Sequence, residues 1–324
     1  METFIISLLA LALSFNIGAN NAGASMATAY GSNSLSKLAS VSLIFVFVFL
    51  GAAFGGEKVV HTVGKEIVSV DLSTHEFGTK FIFLILGLPV LSILIANILK
   101  IPIATTHIVV CTIMGIGLAL KEINSQKVVE IVIWWILTPA ILWLTNYLIG
   151  KHLYIKIINY LASHKNEEKI NKILKFSLIT SGCFIAFFAG SNNSANAAGP
   201  IVAIDLINAK DGALLAGLFM ALGAFFFGGR ILETVAKEIT DICLIRAISV
   251  HLTGGLLLCL ASFYGIPISL AEIVTAGIIG FSCASTGFSR TLKNTSVSKI
   301  LSFWIVAPIG CVVLSYIIAN SLLR

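Results

Sequence analysis

The sequence predicts an all-α polytopic membrane protein, with about ten membrane segments in two inverted-topology repeats and broken or re-entrant helices at the midplane. Three observations predict this fold: the apolar composition, the number of long apolar stretches and an internal repeat. Hydrophobic residues make up 57% of the 324 residues and charged residues 11%, and the mean hydropathy is +1.00. Because an average soluble protein is about 25% charged, this composition excludes soluble enzymes and nucleic-acid binders and makes the lipid bilayer the expected surroundings.

Ten stretches approach the roughly 20 apolar residues that a membrane span needs. A single strongly polar segment, 151–175, separates the fifth stretch from the sixth and contains six lysines. We therefore divide the chain into a first transmembrane repeat (1–150), a cytoplasmic basic loop (151–175) and a second transmembrane repeat (176–324). The ten stretches are 4–28, 38–56, 78–99, 101–120, 128–149, 176–200, 210–229, 243–262, 265–284 and 300–322.

The distribution of basic residues gives an orientation. With ten crossings and residues 151–175 in the cytoplasm, 14 of the 21 lysines and arginines fall on the cytoplasmic side and both termini lie outside. Cytoplasmic loops of membrane proteins carry an excess of lysine and arginine. The sequence thus predicts a multi-pass protein of the cell membrane with its central loop inside.

An internal repeat relates the two halves. Residues 51–67 align with 223–239, an offset of 172, and nine of these 17 positions are identical. The same offset places GANNAGASMA, from residue 18, over GSNNSANAAG, from residue 190. With five spans per half, the second half enters the membrane from the opposite side, which is the inverted-repeat architecture of many secondary transporters.

The two Asn/Gly/Ala blocks are candidates for the binding site. Amides and glycines are costly inside an apolar span, and irregular backbone is tolerated there where it is buried or lines a cavity. A helix-packing face of small residues joined by amides is the alternative, but two matched blocks favour a site. We expect a break in each helix, with side chains of both halves facing the substrate: Asn20, Asn21, Asn192 and Asn193.

A second pair of blocks begins with proline. Proline suits the first turn of a helix, and the free N–H groups at a helix N-terminus bind anions. After Pro102, the hydroxyls of Thr105 and Thr106 are expected to face the anion. At an offset of 165, the matching block begins at Pro267 and keeps one hydroxyl, Ser269.

These paired blocks resemble those of the inorganic phosphate transporter (PiT) family over nearly the whole chain. The resemblance implies secondary transport of an inorganic oxyanion, coupled to Na⁺ or H⁺, by an inverted-repeat helical fold that is often a homo-oligomer. Phosphate-transporting members typically have aspartate at the positions of Asn21 and Asn193. The first block, GANNAGASMATAYGS, and the run GGRILET from residue 228 are closer to the sulfate permease branch of that family.

The two asparagines favour sulfate. Phosphate carries a proton that can donate to a carboxylate, whereas sulfate offers none. Losing two carboxylates also removes hard oxygen ligands from a sodium site, which favours protons as the coupling ion. The alternative is a Na⁺-coupled phosphate symporter.

The coupling-ion candidates are an acid at the second proline block and two polar residues of the Asn/Gly/Ala blocks: Glu272, Asn196 and Ser25. An ionisable group within a span is a functional candidate by default, although a hydrated span end is the alternative for Glu272. A structural hydrogen bond is the preferred interpretation of His107. Glu233 follows Arg230 by three residues, a spacing that suits an intrahelical pair.

Other classes of function fit less well. An anion channel is a remote alternative, because the broken segments are paired across two halves and no charged ring follows from the sequence. No nucleophile–base pair or metal-binding motif points to an enzyme, and no cofactor or metal is expected.

Overall fold

The computed structural model of the chain describes residues 2–99, 104–163, 166–238 and 244–324, and the side chains in those ranges except at 94–99, 235–238 and 296. The described residues are almost entirely helical. Outside the helices, Val68 and Ile123 form an isolated antiparallel bridge.

The first half contains six α-helices and a π-helical turn, π1 (Thr62–Glu66). The α-helices are α1 (Glu2–Gly31), α2 (Lys37–Gly55), α3 (Glu57–His61), α4 (Gly78–Leu99), α5 (Thr105–Leu120) and α6 (Ser125–Leu148). A second π-helical turn, π2 (Ile149–Leu153), leads into the central helix α7 (Tyr154–Ala162).

The described residues of the second half form eight α-helices. They are α8 (Glu167–Asn193), α9 (Ala195–Ala203), α10 (Ala209–Phe226), α11 (Gly228–Glu238), α12 (Leu244–Phe263), α13 (Leu270–Thr286), α14 (Phe288–Leu292) and α15 (Thr295–Leu322). Side-chain oxygens at the helix starts satisfy backbone N–H groups that have no intrahelical partner. Ser36 thus caps α2, Asn124 caps α6 and Asn208 caps α10.

Each of the ten predicted stretches overlaps a helix within the described residues. Seven helical segments are long and apolar enough to cross a membrane, and three shorter apolar ones cover 78–93, 105–120 and 270–286. The chain is thus the helical multi-pass membrane protein that its composition predicted. Many apolar side chains of α6 and α15, such as Ile136 and Val306, are exposed, as expected for helices that face lipid.

Two details of the prediction were wrong. The helix α1 runs without a break through the first Asn/Gly/Ala block, and in the second block only Ser194 lies between α8 and α9, with backbone angles that are still helical. The central segment 151–175 is also not a loop, because π2, α7 and the start of α8 occupy most of it. A continuous α1 keeps its backbone groups paired within the helix, which is the least costly arrangement in lipid.

The short helices belong to two hairpins. The bridge between Val68 and Ile123 joins the segments before α4 and after α5, so this hairpin enters and leaves on the same side. In the second hairpin, Val250 of α12 lies against Gly277 of α13, and the Arg246 guanidinium, near the start of α12, lies 6.0 Å from the Phe281 ring, near the end of α13. The two ends of the second hairpin therefore also lie on one side of the protein.

Reciprocal contacts relate the two halves. A Cβ on Gly18 of α1 would overlap the carbonyl oxygen of Met220 in α10, and one on Gly190 of α8 would overlap that of Val48 in α2. The offset of 172 converts the first contact into the second. Gly51 with Phe187 and Gly223 with Phe15 repeat the relationship.

The direction of equivalent helices is equally informative. Ala52 of α2 lies against Gly217 of α10, and Gly56, directly after α2, lies against Ala213. The numbering rises on one helix as it falls on the other, so α2 and its equivalent α10 run antiparallel. An axis that relates antiparallel equivalents is perpendicular to the helices, which is the arrangement that inverted repeats require.

Candidate functional site

The N-termini of α5 and α13 meet inside the protein. Thr106, in the first turn of α5, is buried and donates its hydroxyl hydrogen to the carbonyl oxygen of Ile268 at 3.3 Å. Ile268 directly precedes Ser269, the N-cap residue of α13. The two proline-containing blocks are thus in direct contact, although Pro102 itself lies outside the described residues.

Asn196 joins the second Asn/Gly/Ala block to this contact. Its Nδ2 donates to Thr106 Oγ1 at 3.0 Å, and its side chain is almost completely buried. The Thr106 hydroxyl therefore accepts from α9 while it donates to the segment before α13. Its single hydrogen is used within the protein and does not face a substrate.

Asn192 holds the extended segment that precedes α13. Its Nδ2 donates to the carbonyl oxygen of Ile266 at 2.9 Å and to Ser262 Oγ at 3.3 Å. Its Oδ1 accepts the backbone N–H of Ile268 at 2.9 Å. A fully buried amide thus replaces the backbone partners that an extended chain lacks. Both hydrogens of the Asn192 amide are thus used within the protein.

Ser269 caps α13, with Oγ accepting the Glu272 N–H at 3.4 Å. This pairing occupies one lone pair of the hydroxyl and leaves its hydrogen available. Because Ser269 is buried, that hydrogen lies at the meeting point of the two helix N-termini, where the field favours an anion.

A histidine and a carboxylate from the two halves face each other beside these helix starts. His107 Nε2 lies 3.0 Å from Glu272 Oε2, with side-chain exposures of 4% and 8%. The two groups are at ion-pair distance without an aligned hydrogen bond, and His107 Nδ1 has no partner among the described residues. The Trp135 ring lies against the imidazole, with 4.0 Å between centroids.

The remaining predicted residues lie on the same helices, but no side-chain hydrogen bond in the described part of the chain joins them to this cluster. They are Asn20, Asn21, Thr105 and Asn193, together with Ser25, whose hydroxyl bonds back to the α1 carbonyls of Asn21 and Ala22. Asn193 and Ser25 are buried, whereas Asn20, Asn21 and Thr105 are half-buried. Their common role at one site stays a prediction.

Several amide atoms in these blocks are buried without a partner in the described residues. They are Asn21 Nδ2, Asn193 Oδ1 and Asn196 Oδ1. Buried polar atoms in proteins are nearly always paired, so unpaired ones require a ligand, water or ion as an explanation. Three such atoms in the two blocks are candidates for contact with a ligand, an ion or an ordered water.

A charged cavity of about 400 Å³ lies on one side of the cluster. Its lining includes Glu57, Lys58, His61, Glu66, Lys127, Tyr264 and Gly265. The last two residues lead directly into the segment that Asn192 holds. Burial alone would raise the pKa of Glu66, but hydrogen bonds from Lys127 and His61 outweigh it and hold that pKa below its ordinary value.

An ion pair lies on the side of the protein opposite the charged cavity, near the other ends of α2 and α10. Lys37, at the start of α2, contacts Glu233 of α11 at 2.8 Å. The Lys37 side chain also lies against Gly229. Lys175 donates to the carbonyl oxygen of Asn33 at 3.4 Å, so the central basic segment lies on this side.

Sequence reasoning missed two features of the site. The proline blocks placed His107 and Glu272 at equivalent positions, an offset of 165 apart, but their contact was not predicted. The Asn192 side chain bridges the backbone of Ile266 and Ile268, an arrangement that we call the Asn192 bracket. It was also missed, because these partners lie 74 and 76 residues away. The equivalence of His107 and Glu272 in the repeat was the one available signal.

Comparisons with known proteins agree on the family. The sequence profile of the phosphate transporter family matches residues 17–315. The sulfate permease CysP of Bacillus subtilis is 34% identical over 318 residues, covering 98% of this chain and 87% of the relative. A protein of Pyrococcus abyssi, provisionally named a phosphate permease, is 26% identical over 94% of each chain. A solved structure titled "The sodium-dependent phosphate transporter" shares the fold, with a TM-score of 0.81, 22% identity and 99% and 98% coverage. The chain belongs to the phosphate transporter family.

Proposed function

We propose that this protein is a secondary active symporter that carries sulfate into the cell together with protons. The observation that supports it most strongly is the meeting of two helix N-termini from opposite halves, at a buried cluster of amides and hydroxyls. Discontinuous helices whose N-termini face an anion near the midplane characterise secondary transporters.

The proposed anion site has two layers. The half-buried or unpaired side chains of Asn20, Asn21, Thr105 and Asn193, with the Ser269 hydroxyl, contact the anion. Thr106 and Asn192 contribute chiefly by fixing the helix starts whose N–H groups donate to it, because their own hydrogens are already used. Hydrogen bonds from neutral donors to a charged acceptor are among the stronger ones in proteins.

Selectivity for sulfate follows from the residues at positions 21 and 193. Amides there present N–H donors to a fully deprotonated dianion, whereas carboxylates would present acceptors to it. The 34% identity to a protein named a sulfate permease is consistent with this assignment.

Coupling to protons is proposed because Glu272 is the carboxylate found among the cluster's contacts. Asn196 and Ser25 are assigned supporting roles near the coupling ion, since neither carries a titratable group. The central basic segment is assigned to the cytoplasm, which places the chain termini outside and the charged cavity on the outer side.

A second candidate, a Na⁺-coupled phosphate symporter, is favoured by one specific observation. The unpaired atoms Asn193 Oδ1 and Asn196 Oδ1 are acceptors, which could bind a cation or the hydrogen of a protonated phosphate. Rotating either amide by half a turn would present a donor instead, so these atoms do not exclude sulfate.

Uptake into proteoliposomes separates the candidates. Labelled sulfate or phosphate is supplied under an imposed pH gradient or an imposed sodium gradient, each at the same membrane potential. We expect sulfate to accumulate with the pH gradient. Accumulation of phosphate with the sodium gradient, and none of sulfate, would establish the second candidate instead.

Restoring the carboxylates tests the two asparagines directly. The double substitution Asn21→Asp and Asn193→Asp should depress sulfate uptake and admit phosphate. A matched control, Asn124→Asp with Asn166→Asp, adds the same charge at two helix caps, where a carboxylate also accepts the capping N–H. The control should transport sulfate as the wild type does.

A further inference from the structure

His107 and Glu272 occupy equivalent positions of the two predicted repeats and contact each other across them. Each is the third residue of its helix, and both side chains are more than nine-tenths buried. A buried ionisable pair costs desolvation that its mutual attraction seldom repays. Such a pair inside a membrane protein is a functional candidate by default.

We propose that the His107–Glu272 pair is a single proton-binding site that makes anion binding depend on protonation. The inference rests on the proposed symport function and adds His107 as a proton-binding partner. In the proposed cycle the pair begins as an imidazolium and a carboxylate, whose charges cancel. One proton taken from solution leaves an imidazolium beside a neutral carboxylic acid, a net charge of +1, and the proton returns to solution on the other side.

The position of Glu272 explains why the proton and the anion would bind together. A negative charge in the first turn of α13 is stabilised by the same N-terminal field that would hold the substrate. The ionised carboxylate therefore competes with the anion and repels it. Protonation removes that competitor and leaves a cation, His107, beside the free helix start.

Trp135 holds the pair in place and shields it. Its ring lies 4.0 Å from the imidazole centroid, and its Nε1 donates to the Pro267 carbonyl oxygen at 2.8 Å, just before α13. The tryptophan thus fixes His107 relative to the helix that bears Glu272.

Most ionisable groups on helices that pack against α5 and α13 contact other parts of the protein. Lys127 pairs with Glu66 and Glu130, Arg246 lies over the rings of Tyr154 and Phe281, and His251 hydrogen-bonds the Ala24 backbone. Lys80 lies over the Phe77 ring and Lys151 contacts Tyr147. The remaining groups lie at or near the ends of their helices: Glu2, His152, Arg290 and Lys299. Within the described residues, neither His107 nor Glu272 forms an ion pair with any other group.

The chain contains a matched control for this chemistry. His61 Nδ1 and Glu66 Oε1 are also 3.0 Å apart, but their side chains are 55% and 32% exposed and line the charged cavity. Both pairs join an imidazole and a carboxylate at the same distance. They differ in burial, in contact with the helix starts and in Lys127, which also contacts Glu66. Glu66→Gln therefore changes a histidine–carboxylate pair without touching the proposed proton site.

The test measures the protons that accompany anion binding. Sulfate is titrated calorimetrically into the purified full-length protein in buffers of different ionisation enthalpy, across a range of pH. The wild type should take up about one proton per sulfate, and its affinity should fall by about tenfold per pH unit on the alkaline side. Glu272→Gln and His107→Gln should each abolish the uptake and flatten the pH dependence, whereas Glu66→Gln should match the wild type.

The outcomes separate the inference from the function on which it rests. Sulfate binding without proton uptake in the wild type, or undiminished uptake in either site variant, would overturn the proton site and leave the substrate assignment intact. Failure of the wild type to bind sulfate at any pH would overturn the proposed function. If the site variants do not fold, the sulfate-induced infrared difference spectrum of the wild type decides, since a new carboxylic acid band supports the inference and its absence overturns it.

Discussion

Asn196 donates to the Thr106 hydroxyl at 3.0 Å, and that hydroxyl in turn donates to the Ile268 carbonyl oxygen at 3.3 Å. One hydroxyl group therefore links α9, α5 and the start of α13. These two hydrogen bonds position the helix starts that are proposed to bind the anion. A substitution at Thr106 should therefore displace elements of both halves.

Replacing Thr105 and Thr106 together with alanine should weaken sulfate binding. A hydrogen bond to a charged group is worth about 1.5–3 kcal/mol, so the loss from Thr105 alone corresponds to roughly a tenfold to hundredfold rise in the dissociation constant. Displaced helix starts would add to it. Binding is measured by calorimetry, with the Thr105→Ser, Thr106→Ser protein as the control that keeps both hydroxyls. Equal affinity in the alanine and serine proteins would contradict the assignment.

Removing the bracket at Asn192 should destabilise the protein. Asn192→Ala leaves the N–H of Ile268 and the carbonyl of Ile266 buried without their present partners, at about 1–3 kcal/mol for an unsatisfied group. The expected result is a lower midpoint of thermal unfolding in detergent. Asn16→Ala serves as the control, because Asn16 is exposed and bonds to its own helix. A midpoint shift no larger than the control's would show that the bracket contributes little.

The reciprocal glycines should be intolerant of a methyl group to a similar degree. Gly18→Ala and Gly190→Ala each place a Cβ on a carbonyl oxygen of the neighbouring helix, and overpacking of this kind costs about 1–3 kcal/mol. Gly87→Ala is the matched control, since a Cβ there meets no atom within 4 Å. The measurement is thermal stability in detergent. Tolerance at Gly18 with intolerance at Gly190 would argue against equivalent packing in the two halves.

The Glu66 network should make the protein acid-sensitive. The folded-state pKa of Glu66 lies below its ordinary value of 4.5, so its stabilising effect is present above that value and is lost as the pH falls through the folded-state pKa. We expect Glu66→Gln to abolish this part of the acid destabilisation, an effect below about 1 kcal/mol because the pair is partly exposed. Unfolding midpoints from pH 7 to 3 provide the measurement, with the exposed Glu122→Gln as control. An unchanged acid slope in Glu66→Gln would refute it.

Much of the fold followed from local features of the sequence. The long apolar stretches of the sequence coincide with the seven helical segments that are long and apolar enough to span the bilayer. The bilayer core has no water to hydrate the backbone, so a segment that crosses it must be apolar and helical. The repeat placed His107 opposite Glu272 in alignment. What local features could not provide were contacts set by packing over long sequence distances, such as Asn192 with Ile266 and Thr106 with Asn196.

The error at the first Asn/Gly/Ala block has a physical cause. The block was expected to interrupt its helix, yet α1 continues through Asn20 and Asn21. Small residues there allow a neighbouring helix to approach closely, as Gly18 does with Met220. That approach does not require the helix to break. The same composition thus serves close packing in α1, and in the second half it covers the junction of α8 and α9 at Ser194.

The antiparallel pairing of α2 with α10 has a consequence for how the molecule could move. The contacts that α1 and α2 make with the second half recur, at an offset of 172, as contacts of α8 and α10 with the first half. The two ends of the α2–α10 pair nevertheless differ. Lys37 and Glu233 join the face that bears the central segment, whereas the positions equivalent to them, Ala209 and His61, border an open cavity. Exchanging the conformations of the halves would separate the first pair and narrow the cavity. Such an exchange would bring Ala209 and His61 together in place of the present ion pair, so the two faces of the molecule would be closed by contacts of different strength.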